Sequence, residues 1–462
     1  MRHYGGDRKG ARRVSMDTPI CDFVRQYAAS NTLRLHMPGH KGTGFLGVEH
    51  LDITEIDGAD SLYEADGVIR QSEANASVLF GAETFYSTEG SSQCIRAMLY
   101  LCALHAKQCG KRPLIAAARN VHKTFLSAAA LLDFEVMWLY PTESESYLSC
   151  KLEVKDIEDL LSAAEEKPTA IYLTSPDYLG NLADVRSIAE VCHRYGVLLI
   201  VDNAHGAYLR FLQPSLHPMD LGADLCCDSG HKTLPVLTGG AYLHISKDAP
   251  GIFSEQAKNA LVLFGSTSPS YLILQSLDAA NAYLDDGYSR RLLDFIFQLQ
   301  RLKNKLTDWG YTLQGDEPLK LTILTKPYGY TGTQFAQVLL EQKIVCEFSD
   351  PDFAVMMLTP EITKAGLKQL EQALLSIPQK PAITEKPPVF HKCVSVMSIR
   401  EATLFPCETV PVQKSVGRVL SAASVGCPPA VPILICGERI DETAVECLSY
   451  YGRETCTVVL SE

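Results

Sequence analysis

Residues 228–235 read Asp-Ser-Gly-His-Lys-Thr-Leu-Pro, a short run of small and basic residues that contains Lys232. Asp202 lies thirty residues before this lysine and closes the apolar run 197–201, which predicts a buried parallel strand. A loop lysine that faces a carboxylate at the C-terminal end of a strand suits pyridoxal phosphate. This cofactor needs an amine to form a Schiff base and an anion to keep its ring nitrogen protonated. A single lysine is more often a solvated surface charge, so the rest of the sequence has to support the interpretation.

Size and composition limit the function classes that fit this chain. At 462 residues the chain is too long for one core, and its 46% hydrophobic and 21% charged residues are typical of globular proteins. A net charge of −12 argues against nucleic acid or an anionic membrane as the main partner. The 15 cysteines are scattered without metal-ligand spacing, which indicates reduced thiols and no metal site. We therefore expect a cytoplasmic protein that binds neither nucleic acid nor membrane.

The first fifteen residues differ from the rest of the chain. They carry five basic side chains and lack the apolar segment of a signal peptide. We predict a disordered basic extension over 1–15, with the fold beginning at Met16.

Strand and helix patterns alternate through the first two thirds of the sequence. Apolar runs predict strands at 84–88, 114–117, 135–139, 170–174, 197–201 and 240–245. Helical periodicity predicts helices at 17–30, 68–80, 94–107, 121–132, 154–165 and 184–195. Such alternation implies a mostly parallel sheet covered on both faces, with functional residues at the C-terminal ends of the strands.

Five chemically apt positions fall at those predicted strand ends: Gly90, His122, the loop 176–180, Asp202 and Lys232. Gly90 precedes Ser91 and Ser92 at the start of a helix, where backbone N–H groups can hold a phosphate. A plain serine N-cap is the alternative for that turn, because serine is a favoured capping residue. Because all five positions lie at one predicted edge of the sheet, together they indicate a functional site more strongly than any one of them does alone.

The last third of the sequence predicts further units. A helical stretch over 272–309, with a possible break at Gly287, leads to a second strand and helix alternation over 311–375. Four prolines within 378–388 indicate a linker. We predict an N-terminal helix and arm over 16–66, a cofactor-binding large domain over 67–310, and a small α/β domain over 311–377. The linker over 378–388 and a small C-terminal α+β module over 389–462 follow.

Several motifs together resemble one known family. They are Met37-Pro38-Gly39-His40-Lys41-Gly42, Gly90-Ser91-Ser92, Asn120-Val121-His122-Lys123-Thr124, Val201-Asp202-Asn203-Ala204-His205-Gly206-Ala207, Ser229-Gly230-His231-Lys232-Thr233-Leu234-Pro235, Thr267-Ser268-Pro269-Ser270-Tyr271 and Val431-Pro432-Ile433-Leu434. In order and spacing the chain resembles the ornithine/lysine/arginine decarboxylases, which are fold-type I pyridoxal phosphate enzymes with the aspartate aminotransferase fold. The likeness runs from about residue 17 to the C-terminus and is to the short form, which lacks an amino-terminal receiver-like domain.

The resemblance implies a role for each matched residue. Lys232 would form the Schiff base, Asp202 would pair with the pyridinium nitrogen, and His122 would stack on the cofactor ring. The phosphate would be held by the Gly90 turn and by Ser91, Ser92, Ser229 and His231. Ala204 and His205 would pack against the ring, and His231 or Lys232 would return a proton to Cα. Thr267 would reach the phosphate of a neighbouring subunit, which implies a homodimer with shared active sites.

Some positions depart from the family pattern. Asn203 stands where Glu is frequent, Tyr208 where His is frequent, and Glu89 where Asn is frequent; Gly230 replaces a Thr or Val beside His231. In the C-terminal module, Cys427 and Cys436 interrupt what is usually a proline-rich pattern. That module usually helps to select the substrate, so the preferred amino acid stays open.

The sequence therefore predicts a pyridoxal-phosphate-dependent decarboxylase of a basic amino acid: arginine, lysine or ornithine. Two alternatives remain at this stage. One keeps the fold and cofactor but changes the reaction to that of an aminotransferase, lyase or aldolase, since one fold supports many chemistries. The other is a non-catalytic relative that acts as a binding protein, which the intact Lys232, Asp202 and His122 disfavour.

Overall fold

The computed structural model describes residues 16–141, 146–389, 392–423 and 428–460. The predicted basic extension 1–15 and Cys427 lie outside the described residues.

A seven-stranded sheet forms the centre of the larger part of the molecule. Its strands are β1 (Glu83–Ser87), β2 (Leu114–Ala118), β3 (Glu135–Leu139), β4 (Ala170–Thr174), β5 (Leu198–Asp202), β6 (Leu225–Asp228) and β7 (Ala241–Ile245). They lie in the order β1-β7-β6-β5-β4-β2-β3, and β7 runs antiparallel to both of its neighbours while the other pairings are parallel. The predicted mostly parallel sheet is confirmed.

Ten helices accompany this sheet within the described residues. They are α1 (Pro19–Ala29), α2 (Val68–Phe80), α3 (Ser91–Gln108), α4 (Lys123–Leu132), α5 (Val154–Ala163), α6 (Val185–Arg194), α7 (Gly230–Thr233), α8 (Ile252–Val262), α9 (Tyr271–Asp285) and α10 (Tyr288–Trp309). The predicted break at Gly287 is confirmed, because this residue separates α9 from α10 with a left-handed φ of 68°.

Side chains of each strand alternate between two cores, as the pleat of a strand requires. Tyr172 packs in the core that contains Phe125 of α4 and Phe253 of α8. Its neighbour Ile171 packs in the core that contains Ile157 of α5 and Ile188 of α6. Both faces of the sheet are therefore covered, which explains why the strand sequences are almost continuously apolar.

Among the helices predicted before residue 200, four starts differ from the sequence prediction. Helix α1 begins at Pro19 and not at residue 17, and α6 begins at Val185 and not at residue 184. The other two differences fall at the expected strand ends. Helix α3 begins at Ser91 and not at residue 94, because Gly90 turns the chain with a left-handed φ of 73°. Helix α4 begins at Lys123 and not at residue 121. His122, expected in the first helical turn, is instead the N-cap residue with extended backbone angles. Apolar periodicity does not register caps, so it misplaces such boundaries.

A second, smaller sheet follows α10. Its strands are β8 (Thr312–Gln314), β9 (Lys320–Leu324), β10 (Phe348–Ser349) and β11 (Phe353–Met357), and its helices are α11 (Gly332–Glu341) and α12 (Lys364–Ser376). The strands pair antiparallel in the order β10-β11-β9-β8. The prediction was an alternation of single strands and helices. In the structure two strands precede each helix, and this unit occurs twice.

The segment after α12 crosses the predicted linker and ends in a third sheet. Helices α13 (Ile399–Leu404) and α14 (Glu442–Tyr450) accompany strands β12 (Cys407–Pro411), β13 (Leu420–Ala422) and β14 (Thr455–Val459), which pair antiparallel in the order β12-β14-β13. The expected α+β architecture of this region is confirmed. The residue limits of the domains stay predictions.

Across the described part of the chain, none of the helices is both long and apolar enough to cross a lipid bilayer.

Candidate active site

Asp202 ends β5 at the C-terminal edge of the large sheet and is almost fully buried. Its Oδ2 accepts a hydrogen bond from the Tyr172 hydroxyl at 3.2 Å, and its Oδ1 accepts one from the Ala204 N–H at 3.2 Å. Burial raises the pKa of this carboxyl group, while Lys232 acts in the opposite direction. A buried carboxylate of this kind is stabilised by a cation beside it.

Lys232 lies in the short helix α7, which follows β6 at the same edge. Its Nζ is 2.9 Å from Nε2 of His205, a residue just beyond the end of β5. The preceding His231 donates its Nδ1–H to the Gly240 carbonyl at 3.1 Å, because that carbonyl oxygen can only accept. This bond leaves Nε2 of His231 as the nitrogen that can exchange a proton with a ligand.

A cluster of hydroxyls surrounds the N-terminus of α3. The Ser229 hydroxyl donates to that of Ser91 at 2.8 Å, and the Thr124 hydroxyl donates to that of Ser92 at 3.2 Å. A side chain at Gly90 would meet only the Ser92 nitrogen, at 4.0 Å, so the space in front of this turn is open. Hydroxyls and free helix N–H groups around an open turn are well suited to a phosphate dianion.

His122 connects this cluster to the lysine. Its Nδ1 accepts the Thr124 N–H at 3.2 Å and lies 2.8 Å from the Thr124 hydroxyl. Burial lowers the pKa of His122 to about 3, and the neighbouring cations Lys232, Lys123 and Arg96 add to the shift. The ring is therefore neutral at physiological pH.

One cavity brings five of the eleven predicted site residues together. Asp202, His122, Ala204, His205 and Lys232 line it. Pro176 and Tyr178 of the predicted functional loop 176–180 also line it. The remaining lining residues, which were assigned no role from the sequence, are Asn120, Thr174, Pro429 and Val431. Gly90, Ser91, Ser92, Ser229 and His231 adjoin it through the contacts described above. Thr267 lies elsewhere, exposed on the loop that follows α8.

The C-terminal module supplies one wall of this cavity. Arg119, buried at the end of β2, donates to the carbonyls of Pro432 at 3.0 Å and Ile433 at 2.9 Å. The Lys123 N–H donates to the Ala430 carbonyl at 2.8 Å. These bonds hold the segment that contains Pro429 and Val431 against the large sheet.

The residues fit pyridoxal phosphate. Two buried oxygens of lining residues, Asn120 Oδ1 and Thr174 Oγ1, have no hydrogen-bond partner among the described residues, as expected for a site built around a polar ligand. An anion-binding turn at Gly90, an amine at Lys232 and a buried carboxylate at Asp202 match the three polar parts of the cofactor.

Behind the cavity lies a buried cluster that the sequence did not reveal. Oδ2 of Asp228 is 3.0 Å from Nε2 of His217 and 3.0 Å from Nε2 of His244, and its Oδ1 accepts from Asn203 Nδ2 at 2.6 Å. The three residues His217, Asp228 and His244 could in principle hold a metal ion. The other ring nitrogens also have partners: Nδ1 of His217 accepts the Met219 N–H at 3.3 Å, and Nδ1 of His244 lies 2.9 Å from the Thr84 hydroxyl. The contacts of the cluster therefore form a hydrogen-bond network.

Comparison with known proteins places the chain. Residues 18–315 match the family model described as Orn/Lys/Arg decarboxylase, major domain. The chain belongs to this family. Arginine decarboxylase of Halalkalibacterium halodurans is 30% identical, over 92% of this chain and 91% of that protein. Arginine decarboxylase of Bacillus subtilis is 29% identical, over 92% of each.

Solved structures agree on the fold of this Orn/Lys/Arg decarboxylase family member. Lysine decarboxylase A from Pseudomonas aeruginosa superposes with a TM-score of 0.79 at 18% identity, covering 96% of this chain and 80% of that one. The lysine decarboxylase LdcF of Francisella novicida gives 0.75 at 17% identity, covering 96% and 81%. The predicted family, fold class and cofactor are thereby confirmed: the chain is a decarboxylase of the pyridoxal-phosphate-dependent type.

Proposed function

We propose that this protein decarboxylates arginine, with Lys232 as the residue that holds pyridoxal phosphate. The observation that carries the proposal is the convergence of Lys232, Asp202 and the open Gly90 turn at one edge of the sheet. Arginine is placed first among basic amino acids because two relatives that match more than nine tenths of the chain are named arginine decarboxylase.

The bound cofactor supplies an electron sink for the electron pair that remains when CO₂ leaves the substrate. Asp202 would pair with a cationic ring nitrogen of the cofactor, and the Tyr172 hydroxyl and Ala204 N–H hold its carboxylate in place. His122, which is neutral, would cover the ring without opposing its charge. Nε2 of His231 returns a proton to the substrate Cα, because Nδ1 is committed to the Gly240 carbonyl. Pro429 and Val431 of the C-terminal module line the cavity and would limit the access of water to it.

The substrate's cationic end needs an anionic partner, and we assign that role to Glu347. A cavity of about 650 Å³ adjoins the Lys232 cavity and shares Pro429 with it. Glu347 lines this outer cavity and accepts a hydrogen bond at 3.0 Å from Tyr178, which lines the inner one. Tyr147, Tyr450 and Tyr451 also line it, and aromatic rings favour a guanidinium group.

The proposed homodimer rests on the exposed N-terminal arm and on Thr267. Five large apolar side chains of the arm are each at least two-thirds exposed: Leu33, Leu35, Met37, Phe45 and Leu46. An apolar patch of this kind is typical of an interaction site. We propose that the arm packs on a second copy and that Thr267 completes the partner's phosphate site. A cytoplasmic location is also proposed, supported by the absence of disulfides among the described cysteines.

The deciding experiment measures CO₂ and amine release from purified protein with added pyridoxal phosphate. Arginine, lysine, ornithine and a panel of neutral amino acids are compared, with Lys232→Ala as the control. We expect the wild-type protein to release CO₂ and amine from arginine and the Lys232→Ala variant to release neither. Cofactor absorbance without release from any basic amino acid would refute the decarboxylase proposal.

Two variants test the finer assignments. Glu347→Gln should lower kcat/KM for arginine about tenfold, mainly through KM, because one charge-assisted hydrogen bond is lost. Glu135→Gln, an exposed carboxylate on the edge strand β3, is the matched control. Mixing Lys232→Ala with Thr267→Ala should restore about a quarter of wild-type activity if sites are shared in a two-fold dimer. No recovery on mixing would contradict shared sites.

A further inference from the structure

Lys320, the first residue of β9 in the smaller sheet, reaches the active site through another residue. It is 3% exposed, although it carries a cationic side chain. Its Nζ lies 3.0 Å from the Asp177 carbonyl, 3.4 Å from the Tyr178 carbonyl and 3.0 Å from Nδ1 of His205. The opposite nitrogen of the same imidazole, Nε2, lies 2.9 Å from Nζ of Lys232. His205 therefore stands between two lysines that come from different parts of the molecule.

The donors and acceptors in this arrangement decide which nitrogen of His205 carries the proton. An ammonium group has three N–H donors and no acceptor, and backbone carbonyls only accept. Two donors of Lys320 serve the carbonyls of Asp177 and Tyr178, so the third points at Nδ1 of His205, which must accept. A neutral imidazole with an accepting Nδ1 carries its proton on Nε2. That proton points at Lys232, whose amine can accept it only when the amine is uncharged.

We propose that Lys320 is a positioning residue that fixes His205 in its Nε2–H form, and that this N–H favours the uncharged amine of Lys232. An amine attacks a carbonyl only when it is uncharged, so the arrangement prepares Lys232 to capture the cofactor aldehyde. The inference rests on the proposed function, since it takes Lys232 as the residue that reacts with pyridoxal phosphate.

The charges around His205 and Lys320 agree with this assignment. Burial lowers the pKa of His205 well below its usual value, and Lys232, Lys320 and two further histidines, His122 and His231, add to the shift. Burial also lowers the pKa of Lys320, but Glu317, Asp177 and Glu347 oppose this effect, while Lys232 reinforces it. Three carboxylates therefore favour the charged form of Lys320. Asp202, the carboxylate that faces Lys232, favours the ammonium form of that lysine, so the His205 N–H acts against this influence.

The protonation of His205 can be observed directly, without activity. The protein is labelled with ¹⁵N-histidine, and His205→Asn identifies the resonances. The expected spectrum has a protonated Nε2 and an unprotonated Nδ1 for His205 in wild-type protein freed of cofactor. A protonated Nδ1 in that spectrum would overturn the proposal, even if every Lys320 variant failed to fold.

The second measurement follows the reactivity of Lys232 against pH. Lys320→Met, Lys320→Arg and wild-type proteins are treated with formaldehyde and cyanoborohydride, and methylation of the Lys232 peptide is quantified by mass spectrometry. The rate of adduct formation with pyridoxal phosphate is recorded in parallel. Lys320→Met should move the pH midpoint of both reactions upward by about one unit, which is about tenfold slower reaction below the midpoint. Lys320→Arg retains the charge and the donors, so it should restore the wild-type midpoint.

Lys303 provides a matched control. It is also a lysine whose pKa is lowered by burial near Glu317, and it donates to the carbonyls of Glu317 and Pro318 at 3.2 and 3.0 Å. Lys303→Met should leave the His205 spectrum and the Lys232 midpoint unchanged. An unchanged midpoint in Lys320→Met, or an equal shift in Lys303→Met, would overturn the inference. If the wild-type protein shows the Nε2–H spectrum but forms no adduct with pyridoxal phosphate, the proposed function is refuted. The assignment of the His205 tautomer is supported in that case.

Discussion

Replacement of Asp228 tests the buried network behind the active site. In the wild-type protein one carboxylate accepts from His217, His244 and Asn203, and all four side chains are buried. Burial raises the pKa of the Asp228 carboxyl, but the two imidazoles outweigh this effect and hold the pKa below its usual value. The carboxylate is therefore charged, and its hydrogen bonds are charge-assisted.

The two obvious substitutions should differ in cost. In Asp228→Asn the amide oxygen can serve both imidazoles, and Asn203 can turn its own Oδ1, which has no partner within the described residues, toward the new NH₂ group. Only charge assistance is lost, about 1 kcal/mol for each imidazole and about 2 kcal/mol in total. Asp228→Ala leaves three buried donors without an acceptor, which costs about 5 kcal/mol.

Urea unfolding followed by tryptophan fluorescence can measure the difference. The chain has two tryptophans, and Trp309→Phe leaves Trp138 of β3 as the reporter of the large sheet. Shifts of the transition midpoint, multiplied by the common slope, give the cost of each substitution. Asp248→Asn, at an exposed carboxylate after β7, should change stability by less than about 0.5 kcal/mol. Equal costs for the asparagine and alanine variants would refute the reasoning.

Three other predictions follow from the site. Burial lowers the pKa of four histidines (His122, His205, His231 and His244), so the unfolded chain takes up protons near pH 6.5 that the folded chain does not. Stability should hold above that pH and fall below it, by at most about 1.4 kcal/mol per pH unit for each histidine. Asp350, whose pKa burial raises to about 7, acts in the opposite direction and offsets one of the four. A flat urea midpoint between pH 7.5 and 5.5 would contradict this. Tyr172→Phe removes a donor from Asp202, and we expect about fivefold weaker cofactor binding in equilibrium dialysis; unchanged binding would show that the hydroxyl is dispensable. Gly90→Ala places a side chain on a left-handed residue at the open turn. If phosphate binds at this turn, inorganic phosphate should compete with the cofactor less effectively in the variant than in the wild-type protein. Equal inhibition of cofactor binding in the two proteins would argue against a phosphate site there.

Much of the site was predictable because parallel strands end at a common edge. Asp202 and His122 each follow a predicted strand, so their proximity needed only the order of strands and helices. The strand that brings Lys232 to the same edge, β6, was not predicted. The limits of β3 (Glu135–Leu139) and β4 (Ala170–Thr174) were predicted as the structure has them.

Other parts of the site depend on contacts that the sequence does not encode locally. Tyr172 lies inside an apolar strand and looks like a core residue, although its hydroxyl reaches the next strand. Lys320 and Glu347 come from the smaller sheet, more than eighty residues after Lys232, and no spacing rule links them to it. His217, Asp228 and His244 meet only because three separate segments pack together.

The wall that Arg119 holds in place separates two parts of the molecule whose sequences can evolve at different rates. The side chains proposed to contact the cofactor lie at the edge of the large sheet or on the helices around it, whereas most of the surface proposed for the substrate's distal end comes from the segments that follow α10. Because Arg119 contacts main-chain carbonyls, side chains within 428–433 can be exchanged without loss of that attachment. Mutation and selection can thus change the lining of the outer cavity without loosening the wall, so the proposed substrate preference and the cofactor chemistry can change independently.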